Sequence, residues 1–349
     1  MTGFPVPSFT RSLVHGLLAL LAALSQPATA AEAFNPSPNA IEIPAWFEES
    51  FLDFRADVRE AARRGKRLML YFGQDGCPYC RELMRVGFSQ KDIVDKARGR
   101  FTAIAVNVWG DREVTWTDGA VLTEKALAAR LRIQFTPTLL FLDEKGAVAL
   151  RLNGYYPPHQ LRAALDYAAD GEERKTPFAA YLQRNARAPA SAALHEQAFF
   201  LKPPLDLDRS RRPASRPLAV LFEQKHCAAC DELHLRGFAD PAVQSLVARF
   251  DVARLELFGA ARIVTPAGKL ATAGDWGRQL GIAYTPTFVF FDANGREVFR
   301  VEAYLKPFHL ASAFDYVASA AYRGEPSFQR YIQTRAAAIR AMGGSVDLW

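Results

Sequence analysis

Short, wholly apolar runs alternate along the 349-residue chain with stretches whose apolar positions recur at helical spacing. Leu68-Met69-Leu70-Tyr71-Phe72 and Leu218-Ala219-Val220-Leu221-Phe222 are two such runs. An uninterrupted apolar run of this length predicts a strand covered on both faces. Ahead of the first, Phe51, Phe54, Val58 and Ala61 predict a helix over Ser50 to Arg64. Behind it come a helix over Cys80 to Val86, a strand over Phe101 to Val108, a helix over Thr123 to Leu131 and a strand over Leu139 to Leu142. Asp143-Glu144-Lys145-Gly146 reads as a hairpin turn. A fourth strand and a helix over Pro158 to Ala169 complete the order α-β-α-β-α-β-β-α. A strand, a crossover helix, a parallel strand and a hairpin give an α/β fold, a mixed central sheet flanked by helices.

The pattern then repeats. Arg81-Glu82-Leu83-Met84-Arg85-Val86-Gly87-Phe88 aligns with Asp231-Glu232-Leu233-His234-Leu235-Arg236-Gly237-Phe238 at an offset of 150. Thr136-Pro137-Thr138 matches Thr285-Pro286-Thr287, and the turn recurs as Asp292-Ala293-Asn294-Gly295. Even Pro177-Phe178 with Tyr181-Leu182-Gln183 is echoed by Ser327-Phe328 with Tyr331-Ile332-Gln333. Two tandem domains of one ancestry are expected, over 40–187 and 196–338, each opening with a helix and joined by the small, polar stretch Asn185 to Ser191.

Charge and the N-terminus add a location. The net charge of +6 is mild and dispersed; its densest cluster, Arg209, Arg211, Arg212 and Arg216, reads as a solvated linker. Arg11, the apolar run Leu13 to Leu24 and the small residues Ala28-Thr29-Ala30 have the form of a cleaved signal peptide over 1–30. That run is shorter than the roughly 20 residues a membrane span needs. A cleaved signal places the chain in the periplasm or outside the cell, with the periplasm expected, where disulfides persist.

The chain has four cysteines, and each repeat holds two: Cys77-Pro78-Tyr79-Cys80 and Cys227-Ala228-Ala229-Cys230. Zinc sites, structural disulfides and redox pairs all use this spacing. A shared four-thiolate zinc site fits poorly, because each pair sits between a buried strand and a helix of its own repeat. A structural bridge closing so small a loop constrains the unfolded chain little. For a redox pair the placement has a mechanism. Unpaired N–H groups at a helix start stabilise a thiolate and lower its pKa from about 8.5 toward 7. Cys77 and Cys227 are then the attacking thiols, and Cys80 and Cys230 the resolving ones.

Strand, CxxC, helix and a later Thr-Pro together resemble the thioredoxin superfamily. LMLYFGQDGCPYC (68–80), WGDREVTWTDGAVLTEKALA (109–128), FTPTLLFLDEKG (135–146) and AYLKPFHL (303–310) are more narrowly similar to secreted thioredoxin-like proteins of the SoxW type. The resemblance implies cis prolines at Pro137 and Pro286, against the cysteines. Thr136, Pro137, Thr285 and Pro286 would bind an extended substrate segment. It also implies thiol–disulfide oxidoreductase activity as a reductase, with no cofactor beyond the Cys77–Cys80 and Cys227–Cys230 disulfides. Cysteine-containing secreted proteins are the implied clients and a membrane protein the implied electron donor. The second repeat departs from the pattern in its CAAC and in Phe258-Gly259-Ala260-Ala261-Arg262, where the first has Trp109-Gly110-Asp111-Arg112-Glu113. The position six before the first cysteine, aspartate in many thioredoxins, is Tyr71 or Leu221. Glu82 and Glu232 are candidates to carry the resolving cysteine's proton, or are exposed helix glutamates. Glu223 is a comparable candidate. His226 would favour a thiolate if charged, or is a turn residue. The stretch Trp109 to Asp118 shapes the rim of the site or is an insertion. Competing readings are a disulfide isomerase or oxidase, and a secreted chaperone or metal-binding module. No metal site, nucleic-acid signature or phosphate loop is expected.

Overall fold

The computed structural model describes residues 1–3, 40–185, 190–211 and 213–346. The expected signal peptide, beyond its first three residues, lies outside the described residues, as do 186–189 of the expected boundary. Among the described residues no helix is long and apolar enough to cross a membrane.

In the first repeat the order is α1 (Phe54–Arg63), β1 (Arg67–Gly73), α2 (Pro78–Glu82), α3 (Lys91–Arg100), β2 (Phe101–Asn107), β3 (Glu113–Thr115), β4 (Val121–Thr123), α4 (Glu124–Arg130), β5 (Thr138–Leu142), β6 (Val148–Asn153), α5 (Pro158–Ala169) and α6 (Phe178–Asn185). Strand order is β2-β1-β5-β6. β1 runs parallel to β2, while β5 is antiparallel to β1 and to β6. The apolar run of β1 serves two layers because successive side chains point to opposite faces. Leu68, Leu70 and Phe72 pack with α1 and α4, and Met69 and Tyr71 with α3 and α5.

The second repeat has β7 (Leu205–Asp206), β8 (Leu218–Glu223), α7 (Ala228–Glu232), α8 (Pro241–Val247), β9 (Asp251–Glu256), β10 (Arg262–Val264), β11 (Leu270–Thr272), α9 (Ala273–Gln279), β12 (Thr287–Phe291), β13 (Glu297–Val301), α10 (Pro307–Ala318) and α11 (Phe328–Ala341). Its sheet, β13-β12-β8-β9, repeats the first.

Several expectations are corrected. Helix α1 starts at Phe54 because the Asp53 side chain caps the Arg55 and Ala56 N–H groups. Phe51 lies outside the helix and is fully exposed. Helix α3 was not foreseen: only Ile93 and Ala97 are buried, too thin an apolar stripe to read. The second repeat does not open with a helix. Its Pro203-Pro204 and Pro213 break any helical run, and β7 instead pairs with β10. Arg209 is buried rather than solvated, donating to Asp251 at 2.7 Å.

The domains exchange rings. Phe135, on the loop before β5, enters the second domain's core beside Phe299 and Phe328. Tyr284, its counterpart, enters the first domain's core and lies 4.9 Å from the Tyr156 ring. Burying such a ring contributes roughly 1.5–3 kcal/mol. Gly154 and Ala303 match in the repeat and face each other: a Cβ on Gly154 would lie 3.3 Å from that of Ala303. Asn153 and Glu302 also match, and Asn153 Nδ2 donates to Glu302 Oε2 at 2.9 Å. Matched residues meeting each other are the mark of an isologous interface, here within one chain.

Candidate active sites

Each cysteine pair forms a disulfide, Cys77–Cys80 and Cys227–Cys230, with Cα atoms 5.2 Å apart in both. The first cysteine is the N-cap of its helix. Cys77 Sγ accepts from the Cys80 N–H at 3.0 Å, and Cys227 Sγ from the Cys230 N–H at 3.1 Å. In the reduced protein the same donors face a thiolate, so this backbone favours ionisation of the first thiol. The residue before it is left-handed in both domains: Gly76 at φ 72° and His226 at φ 56°. Glycine takes this conformation freely and histidine pays for it in strain. His226 is exposed, as a turn residue, and its N–H donates to Ser191 O at 2.8 Å. The helix does not run straight on to Val86 as expected: a single π turn, Leu83–Gly87 or Leu233–Gly237, follows Glu82 or Glu232. Gly87 ends the turn against α5, where a Cβ would stand 3.0 Å from Leu161 Cδ2.

The Thr-Pro elements lie against these sulfurs. Both Thr136–Pro137 and Thr285–Pro286 bonds are cis, as is Pro203–Pro204. Thr136 Oγ1 donates to Cys77 Sγ at 3.4 Å, and the Thr136 carbonyl oxygen is equally near. The corresponding Thr285 distances to Cys227 are both 3.6 Å. The second threonine of each element closes the loop: Thr138 Oγ1 donates to Phe135 O at 2.7 Å and Thr287 Oγ1 to Tyr284 O at 2.8 Å.

Glu82 and Glu232 face neighbouring arginines. Arg85 donates to Glu82 at 2.7 Å, and Arg236 lies 3.2 Å from Glu232. Glu223 is placed differently. It is 1% exposed, accepts from His234 Nε2 at 2.8 Å and leaves Oε2 with no partner. His234 stands four residues after Cys230, one turn along the same face. His195 stacks on His234 at 4.7 Å and bonds Asp231 at 2.7 Å. The first domain has Gly73 and Met84 in place of Glu223 and His234. The Tyr71 hydroxyl fills that space, 2.0 Å from where a Gly73 Cβ would stand. Burial raises its pKa, keeping the phenol neutral. His234 went unnoticed in the sequence; the charge ending the apolar run at Glu223 was the available signal.

Each site is roofed by the other domain. Around Cys77, Pro78 and Tyr79 a cavity of about 100 Å³ is closed by Tyr304, Leu305 and His309, and by Gln329, Ile332 and Gln333 of α11. The Tyr79 hydroxyl lies 3.3 Å from His309 Nδ1. Around Cys227 a cavity of about 30 Å³ is closed by Gln160, Ala179, Leu182 and Gln183. The stretch Trp109 to Asp118 divides: Trp109 donates to Gln74 near the site and carries Arg330 of α11 over its ring at 5.1 Å, whereas Trp116 is buried against Phe54. Arg112 pins this segment by pairing with the buried Glu124 at 2.6 Å.

A model of the family described as "thioredoxin-like domain" matches residues 54–169 and again 206–318, together well over half the chain. The chain belongs to the thioredoxin-like domain family. Solved structures are similar to about a third of the chain. A thioredoxin-fold protein from Helicobacter pylori is 27% identical, over 36% of this chain and 85% of its own, with a TM-score of 0.28. A thioredoxin from Thermus thermophilus is 26% identical, over 35% and 92%, with a TM-score of 0.27. The C-terminal domain of DsbD from Neisseria meningitidis, in its oxidised form, is 16% identical, over 34% and 92%, with a TM-score of 0.26. A search of curated proteins gives no match.

Proposed function

We propose that this protein is a periplasmic thiol–disulfide oxidoreductase that reduces disulfides on secreted proteins, with electrons from a membrane donor. The observation that carries the oxidoreductase reading is the repeated constellation at Cys77 and Cys227. Each is a helix-capping sulfur with a backbone N–H on it, a buried partner cysteine one turn on, and a Thr-Pro backbone against it. The reductase direction and periplasmic location rest on the family resemblance and the leader-like N-terminus.

The reaction begins with the Cys77 thiolate attacking one sulfur of a client disulfide. A mixed disulfide forms, and the other client sulfur leaves as thiolate. Cys80 then loses its proton and attacks Cys77 Sγ. The Cys77–Cys80 disulfide closes, the second client thiolate departs, and two electrons have passed to the client. Cys227 and Cys230 follow the same course in the second domain. Thr136, Pro137, Thr285 and Pro286 offer the backbone edge on which an extended client segment lies.

Turbidimetric insulin reduction with dithiothreitol as donor tests this. Cys77→Ser and Cys227→Ser each remove part of the catalysed rate, and the double variant returns it to the uncatalysed background. Full activity in the double variant overturns the reading.

A further inference from the structure

In this structure neither attacking cysteine is open to a protein client: Cys77 is 4% exposed and Cys227 7%. The cover is specific. Over Cys77, Gln329 is held at both ends, accepting from Gln74 Nε2 at 2.9 Å and donating to Gln134 O at 2.8 Å. The Phe328 N–H donates to Gln134 Oε1 at 3.0 Å. Over Cys227, Gln183 of α6 donates to Lys225 O at 3.3 Å. Gln183 and Gln333 are counterparts in the repeat, each lining the other domain's cavity. The loops that carry Thr136 and Thr285 are occupied as well, because the neighbouring Phe135 and Tyr284 lie in the opposite core.

We infer that the two domains are mutual caps and that the caps set the substrate class. The terminal helices α6 and α11 sit where a client segment would lie. The cavities at Cys77 and Cys227 are small, about 100 and 30 Å³. Such a space admits the sulfur end of a low-molecular-weight thiol, disulfide or persulfide and excludes an extended peptide. A disulfide on a folded protein is reduced only when the domains part. Because the interface is isologous, one separation uncaps both sites. This rests on the oxidoreductase reading for its rates, though not for the accessibility it describes.

The test compares the full chain with its Glu302→Ala/Arg330→Ala variant. These residues hold the domains together through the Asn153–Glu302 hydrogen bond and the Trp109 stack, and neither lines a cysteine cavity. With reduced protein, insulin reduction rises at least threefold in the variant, while reduction of bis(2-hydroxyethyl) disulfide stays within twofold. A second readout needs no catalysis: alkylation of reduced Cys77 and Cys227 by iodoacetamide and by a 5-kDa polyethylene glycol maleimide. In the parent the bulky reagent is much the slower at both cysteines, relative to its rate on the denatured chain, and the variant narrows that gap at both. Equal reactivity toward both reagents in the parent overturns the capping, as does an equal rise in both reductions. If the parent reduces neither disulfide but still shows the size-dependent alkylation, the oxidoreductase reading fails and the caps stand. Gln183→Ala, on the opposite cap, is the parallel variant should the first not fold.

Discussion

Replacing His234 by methionine, the residue the first domain carries at Met84, strands a charge. Glu223 keeps one hydrogen bond, to His234 Nε2 at 2.8 Å, and its other oxygen already has no partner. Both side chains are at most 2% exposed, so no solvent replaces the lost donor. Removing one member of a buried pair costs about 3–5 kcal/mol. At a urea slope of about 1–3 kcal/mol/M, that moves the second domain's midpoint down by at least about 1 M. The first domain supplies the control. Leu221→Tyr/Glu223→Gly/His234→Met copies Tyr71, Gly73 and Met84, with a phenol filling the space the carboxylate leaves. The triple variant regains most of the midpoint. Urea unfolding followed by far-ultraviolet circular dichroism at pH 7 measures both. A cost below about 1 kcal/mol for the single variant, or a triple variant no more stable than it, refutes the pairing argument.

Other consequences are simpler to check. Arg112→Ala leaves the buried Glu124 carboxylate with only the Asn107 N–H; a loss of about 3 kcal/mol in the first domain is expected by the same measurement. Thr136→Val keeps the shape of the side chain but removes the hydroxyl 3.4 Å from Cys77 Sγ. Iodoacetamide alkylation of reduced Cys77 should slow severalfold at fixed pH, with Cys227 unchanged, as peptide-resolved mass spectrometry will show. Burial pushes the phenols of Tyr167, Tyr304 and Tyr331 up to about 12. A folded pKa above the unfolded value of about 10 means stability is whole below pH 10 and lost as pH rises through 12. Tyrosinate absorbance at 295 nm and loss of circular dichroism should therefore rise together above pH 10.

Where one residue's type or a local period decides the structure, the sequence was sufficient. β1, β8, the CxxC helices, the Asp-to-Gly hairpins and α5 were all legible, since each depends on neighbours within a few positions. Helix α3 was not, because its stripe is two residues wide and its exposed face is charged. Nor was the segment before β8, where prolines displaced the helix that the repeat suggested and Arg209 found a buried partner in Asp251. The caps over the two cysteines depend on how two domains dock, and no local pattern encodes that. Their trace was nevertheless visible: Tyr181-Leu182-Gln183 recurs as Tyr331-Ile332-Gln333, past residues 169 and 318 where the two family matches end. Similarly, Glu223 was visible as a charge at the end of an apolar run, while its partner His234 emerged only once strand and helix were brought together.

Whether both cysteine pairs exchange electrons as dithiols is best tested by equilibrating the chain in graded dithiothreitol and glutathione buffers. Acid quenching, alkylation and peptide-resolved mass spectrometry then read each pair separately. Two transitions are expected, each involving two electrons, with every CPYC or CAAC peptide carrying either no label or two. Their midpoints should fall between about −300 and −120 mV. Pairs that stay labelled in every buffer, or stay unlabelled even under full reduction of the unfolded control, contradict the account.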